Sequence, residues 1–113
     1  MPIRRGDIWV ANLGKTTGSE QAGIRPVIIM QNDHGNNHAP TVNVIPLTAK
    51  QKKELPPHYK LKENTLKKPS IALTEGITTI SIDKLINFKG IVDDEDMKNI
   101  ERKLIAQLGI KNV

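Results

Sequence analysis

The chain has 113 residues, no cysteine, 26% charged residues, 3% aromatics and a formal net charge of +5. That length gives one domain, read as residues 1–113, whose core must be built from Ile, Val and Leu. Disulfides and thiolate metal sites are excluded, no apolar run is long enough for a membrane helix, and the opening MPIRRGDIWV lacks the apolar segment of a secretory signal, so a cytoplasmic protein is expected.

In chain order, GDIWVANL (6–13) alternates enough for a strand. GKTTGSEQAG (14–23) is glycine-rich and polar, and is expected to be a mobile loop. RPVIIMQN (25–32) is the continuous apolar run of a buried strand, with a lone arginine at its mouth. DHGNNHAP (33–40) is turn-rich and is expected to be a loop. TVNVIPL (41–47) is strand-like, with Pro46 near its end. KKELPPHYKLK (52–62) is a Pro-bounded connection into a short strand. SIALTEGITTI (70–80) is a strand region interrupted at Gly76, and SIDKLINF (81–88) is expected to be a short helix capped by Ser81. The clearest helix lies within residues 89–109: Asp93 or Asp94 caps it, and acids fill its first turn. Met97, Ile100, Leu104 and Leu108 share a face, and Gly109 ends it. The sum is a mainly β fold, a small β-barrel or strongly bent sheet, with a C-terminal helix as core lid and one or two short helices.

The charge is unevenly placed. Residues 1–49 carry +1, residues 70–113 carry −1, and residues 50–69 carry +5. This lysine-rich stretch is either a solvated surface or the footprint of a polyanion. A core poor in aromatics also favours pairing with a second copy, so a homodimer is expected.

Metal chemistry has little support. His34 and His38 stand four apart, a ligand spacing on a helix, but the intervening Gly-Asn-Asn argues against a helix there. They are read as loop histidines, DDED (93–96) as a helix start, and no metal or cofactor is expected. Without a phosphate loop, a Ser-His-Asp arrangement or a cysteine, an enzyme must work with Arg, Thr, Ser, Glu or His. Arg25 offers a permanently charged fork of donors suited to phosphate. If strands 25–32 and 41–47 pair antiparallel, Arg25 begins one where Thr48 ends the other, and together they form a phosphate seat. The plainer alternative is two ordinary strand ends.

RRGDIWVANL, GSEQAGIRPVIIMQND, GNNHAPTVNVIPLTA and the closing LGI together resemble the MazF/PemK-like toxin endoribonucleases, in the same order over nearly the whole chain. The resemblance implies a homodimer of SH3-like barrels that cleaves single-stranded RNA at short motifs without a metal. The 2′-hydroxyl attacks the adjacent phosphate, leaving a 2′,3′-cyclic phosphate and a 5′-hydroxyl. It also implies an antitoxin partner whose flexible acidic tail occupies the RNA groove, and with which the toxin binds DNA. The family's catalytic arginine falls on Arg25, its threonine on Thr48 and the acid of its first loop on Glu20. RNA contacts are expected from Ser19, Gln21, Lys50, Lys52, Lys53, His58, Glu75, Thr78 and Thr79, with the basic stretch 50–69 as a groove wall. One departure stands out: where many members carry E-Q-x-R-T-x-D, this chain has EGITTIS (75–81). Glu75 and Thr79 match, while Gly76, Thr78 and Ser81 replace Gln, Arg and Asp. That leaves room for a different recognition motif, or for a non-catalytic barrel that acts as a gyrase poison, an RNA-binding module or an operon co-repressor.

Overall fold

A computed structural model describes residues 2–15, 22–50 and 54–111. Its strands are β1 (Asp7–Asn12), β2 (Ile24–Ile29), β3 (Thr41–Thr48), β4 (His58–Lys60), β5 (Ile71–Leu73), β6 (Thr78–Ser81) and β7 (Leu85–Ile91). All pairings are antiparallel, in the order β4-β5-β3-β2-β1-β7, with β6 joining β3 beside β5. Overall extents of 36 × 34 × 31 Å show that the sheet curls upon itself instead of lying flat.

The alternation of side chains puts apolar residues on both faces of the central strands. Ile8, Ile28 and Ile45 lie in register across β1, β2 and β3. They join Met30, Leu47, Leu61, Ala72, Val92, Met97 and Ile100 in one cluster. Trp9, Ala11, Val27, Ile29, Val42 and Val44 form the second, on the opposite face, with Ile3. The unbroken run VIIM is therefore buried from both sides, as a continuous apolar strand should be.

The helix α2 (Asp94–Gln107) covers the first cluster through Met97 and Ile100. Asp93 caps it by accepting from Asp96 N, and the chain turns away at Gly109 with φ +68°, where a residue with a Cβ would be strained. Leu104 packs partly against the core, but Leu108 is exposed, so the apolar face ends a turn early.

Two local expectations fail. Asp33–His38 forms a short helix, α1, instead of a loop. Asn32 caps it by accepting from Gly35 N at 2.8 Å. The buried Asn36 side chain donates to Gln31 O at 3.0 Å and Asp33 Oδ1 at 3.1 Å, so these bonds override the weak helix propensity of Gly-Asn-Asn. The helix expected over residues 81–88 is a single 3-10 turn at Ile82–Lys84, capped by Ser81 as foreseen. From Leu85 the backbone pairs instead with β1.

Gly76 ends a second 3-10 turn (Thr74–Gly76) between β5 and β6. A Cβ there would lie 2.9 Å from Pro46 Cγ, so this turn stacks on β3 only because residue 76 has no side chain.

One buried carboxylate ties the helix to the basic stretch. Asp96, fully buried, accepts from the Tyr59 hydroxyl and from Lys62 N at 3.0 Å. Asn99 Nδ2 adds a bond to the same Tyr59 oxygen at 3.2 Å. Lys62 Nζ reaches Asp93 at 2.8 Å and Glu95 at 3.0 Å, which raises its pKa. Removing the Asp96 carboxylate strands a half-buried hydroxyl and a backbone N–H. We expect Asp96→Ala to lower unfolding free energy by about 3 kcal/mol, against roughly 1 kcal/mol for Tyr59→Phe, measured by urea titration.

Asp33 and Asp93 both hold their protons less tightly than a free carboxyl. Asp33 accepts mainly from Arg5 N, and Asp93 mainly from Lys62 Nζ. A lowered folded pKa contributes stability above the unfolded value and loses it as pH falls through the folded one. The urea midpoint should therefore decline as pH drops below the ordinary value of 3.8, and more shallowly in the Asp33→Asn, Asp93→Asn double variant.

Candidate active site

Pairing of β2 with β3 puts Val27 opposite Pro46 and Ile28 opposite Ile45. Carried two residues further, the same register sets Arg25 across from Thr48, and both side chains line one cavity of about 1150 Å³. Its other walls are Val10, Pro26, Leu47, Ala49, Lys50, Ser70, the loop 64–68 and Lys89. Five cations line it (Arg25, Lys50, Lys67, Lys68 and Lys89), and no carboxylate does among the described residues. The volume exceeds the usual small-molecule range and suits a segment of a longer anionic chain.

Arg25 is half-buried, and its Nε donates to Ala22 O at 3.1 Å. This bond fixes the base of the guanidinium. Among the described residues nothing accepts from its terminal nitrogens, which carry the other four N–H donors of the guanidinium. Thr48 is 4% exposed, and its hydroxyl oxygen accepts from Lys50 N at 3.2 Å. Its hydroxyl proton can still point at an anion. The stems of the loop between β1 and β2 are pinned by Leu13 N to Gly23 O at 2.9 Å and Gly23 N to Gly14 O at 2.8 Å. Ser19, Glu20 and Gln21, in that loop, lie outside the described residues, as do Lys52 and Lys53.

Other expected contacts do not line this cavity. His58 is 4% exposed: its Nδ1 accepts from Leu55 N at 3.3 Å and its Nε2 meets Glu75 Oε2 at 2.7 Å. A ring that accepts at Nδ1 carries its proton on Nε2 and donates it to the carboxylate. Both ring nitrogens are thereby engaged in tying residues 55–58 to the turn at Glu75. Thr78 and Thr79 sit on β6, opposite Val44 and Asn43 at the far end of β3 from Thr48, and Thr79 Oγ1 accepts from Asn43 Nδ2 at 2.7 Å. The divergent EGITTIS segment is thus a turn and an outer strand away from the cavity. Lys62 also leaves the wall foreseen for residues 50–69, because it is taken up by Asp93 and Glu95.

Lys89, Asn64 and Thr65 are cavity residues that the sequence reading did not single out. Lys67 and Lys68 were visible only as members of a charge run. Lys89 gave no signal, since its placement depends on how β7 pairs. His34 and His38 do share a helix, with ring centroids 4.6 Å apart, yet no third His, Cys, Asp or Glu among the described residues completes a metal-binding group with them.

The chain is similar to known proteins along nearly its whole length. Staphylococcus saprophyticus endoribonuclease MazF is 37% identical over 114 residues, spanning 98% of this chain and 95% of that protein. Among solved structures, a MazF from Deinococcus radiodurans superposes with a TM-score of 0.87 at 18% identity, covering 97% of this chain and 99% of that one. A mycobacterial endoribonuclease in complex with its cognate antitoxin gives a TM-score of 0.83 at 22% identity, covering 98% and 99%. These structural likenesses speak for the fold alone. Residues 4–108 match the family described as PemK-like, MazF-like toxin of type II toxin-antitoxin system, and it is to this family that the chain belongs.

Proposed function

We propose that the protein is a sequence-selective endoribonuclease that cleaves single-stranded RNA without a metal, the RNA-cutting toxin of a type II toxin–antitoxin pair. The observation that carries this reading is the meeting of Arg25 and Thr48 on neighbouring strands, in a cavity lined by five cations. Support also comes from the related Staphylococcus protein, which is an endoribonuclease by name.

In the reaction the 2′-oxygen attacks the adjacent phosphorus while the bond to the 5′-oxygen breaks. The 2′-proton passes to a base, and the leaving oxygen takes up a proton. The products are a 2′,3′-cyclic phosphate and a 5′-hydroxyl. Negative charge grows on the non-bridging oxygens, where the terminal N–H donors of Arg25 stabilise it. Arg25 is too weakly acidic to act as base, and its role is electrostatic. The Thr48 hydroxyl orients the phosphate. Glu20 is the proposed base by family resemblance. Lys50 contacts the RNA backbone, and His58 with Glu75 props the fold instead of touching substrate.

The partner is an antitoxin with an acidic segment. A similar mycobacterial endoribonuclease is solved in complex with its cognate antitoxin and Deinococcus MazF with MazE, and a carboxylate-rich tail would suit the cations of this cavity. The active form is a homodimer, in keeping with the small core and exposed Ile24, Ile86 and Phe88.

Purified protein incubated with a long single-stranded RNA in EDTA should produce discrete cuts ending in cyclic phosphate. Arg25→Ala should fold normally and cleave at least ~100-fold more slowly. Cleavage that survives this substitution, or no cleavage by the wild type, would sink the assignment.

A further inference from the structure

β7 pairs with β1 through a register shift. Ile8 faces Gly90, while Trp9 faces Phe88, so Lys89 is the extra residue of a β-bulge. Bulges re-aim side chains, and this one is held from both sides. The Phe88 ring packs edge-on against Trp9 with centroids 6.0 Å apart. On the other side the loop 64–68 passes over Gly90, where an added Cβ would lie 3.5 Å from Thr65 O and 3.8 Å from Leu66 Cδ2. Lys89 itself is exposed and lines the cavity with Lys67 and Lys68 of that loop. The loop is anchored in turn by Lys62 N on the buried Asp96 and by Thr65 Oγ1 on Lys62 O at 2.9 Å.

The geometry points to a second phosphate subsite, formed by Lys89, Lys67 and Lys68, that holds a backbone phosphate of the RNA other than the one being cut. This rests on the endoribonuclease reading and deepens it. Arg25 lies on β2 and Lys89 on β7, with β1 between them. Two strand spacings are roughly 10 Å, and Lys89 also sits further along β1, near Trp9, than Arg25, which faces Ala11. Two cation groups so separated within one cavity match two phosphates of a single extended strand better than one phosphate gripped twice. Lysines bind phosphate as point charges, without base preference. The subsite therefore grips and registers the chain, and leaves the cleavage step to Arg25 and Thr48. Lys89 is a substrate-positioning residue.

The test uses the full chain and RNA oligonucleotides with one cleavable linkage. In one set the flanking phosphates are charged, and in the other they are neutral methylphosphonates. Lys89→Gln should raise KM about three- to tenfold on the charged set at unchanged kcat, and should have no effect on the neutral set. Lys98→Gln, an exposed substitution on α2 outside the cavity, removes the same charge and should do neither. Binding of the same oligonucleotides with a 2′-deoxy scissile residue is measured in parallel, so the result does not depend on turnover. There the slope of log affinity against log salt should be shallower by about 0.7 for Lys89→Gln. Equal effects on both sets, or none on either, would overturn the subsite. Wild-type protein that binds the charged oligonucleotides with this lysine dependence but cuts no RNA would overturn the nuclease reading and leave the subsite standing. Binding only of an acidic peptide, with no lysine-dependent affinity for the oligonucleotides, would overturn it in favour of a protein ligand.

Discussion

Ile28 lies against Ile45 across the β2–β3 ladder, with Ile8 on the other side of β2, and all three are fully buried. That register decides more than the core. A slip of one residue would turn Ile28 and Val27 to opposite faces, exposing one apolar cluster to the other's environment. It would also carry Arg25 out of line with Thr48. Hydrophobic burial on both faces thus fixes a polar geometry several residues away, at the ladder's open end. The cavity needs no separate device to align its two central groups, because the core enforces the alignment.

The lysines of residues 50–69 illustrate how the fold sorts a charge run that looks uniform in sequence. Lys62 is consumed by Asp93 and Glu95 at the start of α2. Its backbone N–H is held by Asp96, which makes the helix an anchor for the following loop. Lys67 and Lys68, a turn later, are delivered to the cavity, where β7 contributes Lys89 from a distant part of the chain. Acidic α2 and the basic loop therefore act as one unit: the acids neutralise the lysine nearest the helix and leave the others to face a ligand. The exposed Lys62 pair is worth little by itself, and the buried Asp96 bonds are what hold the loop.

Much of this was legible in the sequence where local chemistry and long-range packing agree. The buried VIIM strand, a cap at Asp93 or Asp94 (it is Asp93), the break at Gly76 and the juxtaposition of Arg25 with Thr48 all follow from patterns of apolar alternation, capping and strand order. The misses are residues whose state depends on distant partners. Asn36 makes α1 a helix by bonding to Gln31 O, which no propensity scale contains. Residues 85–88 become a strand because β1 presents an unpaired edge, and the Ser81 cap is followed by only one turn of helix. His58 is expected among the RNA contacts; in the structure Leu55 N and Glu75 engage both of its ring nitrogens, away from the cavity, an arrangement no local pattern signals. Lys89 was invisible because a bulge is a property of two strands together.

The composition of the cavity also constrains how RNA is read on this account. Its apolar walls are Val10, Pro26, Leu47, Ala49 and Leu66, and none of the chain's three aromatic residues lines it. Single-stranded nucleic acid is commonly held by stacking bases on aromatic rings, and that contribution is missing from these walls. Affinity must then come chiefly from the five cations, through phosphates, and should be steeply salt-dependent. Phosphate contacts carry no sequence information, so selectivity has to come from polar groups that can meet base edges. Within the described walls these are Asn64, Thr65 and Ser70, with Asn64 held at φ +69° at the tip of the loop that α2 anchors. The same buried carboxylate that secures the cationic wall thereby secures the groups able to discriminate bases, so grip and selectivity share one mechanical support in Asp96.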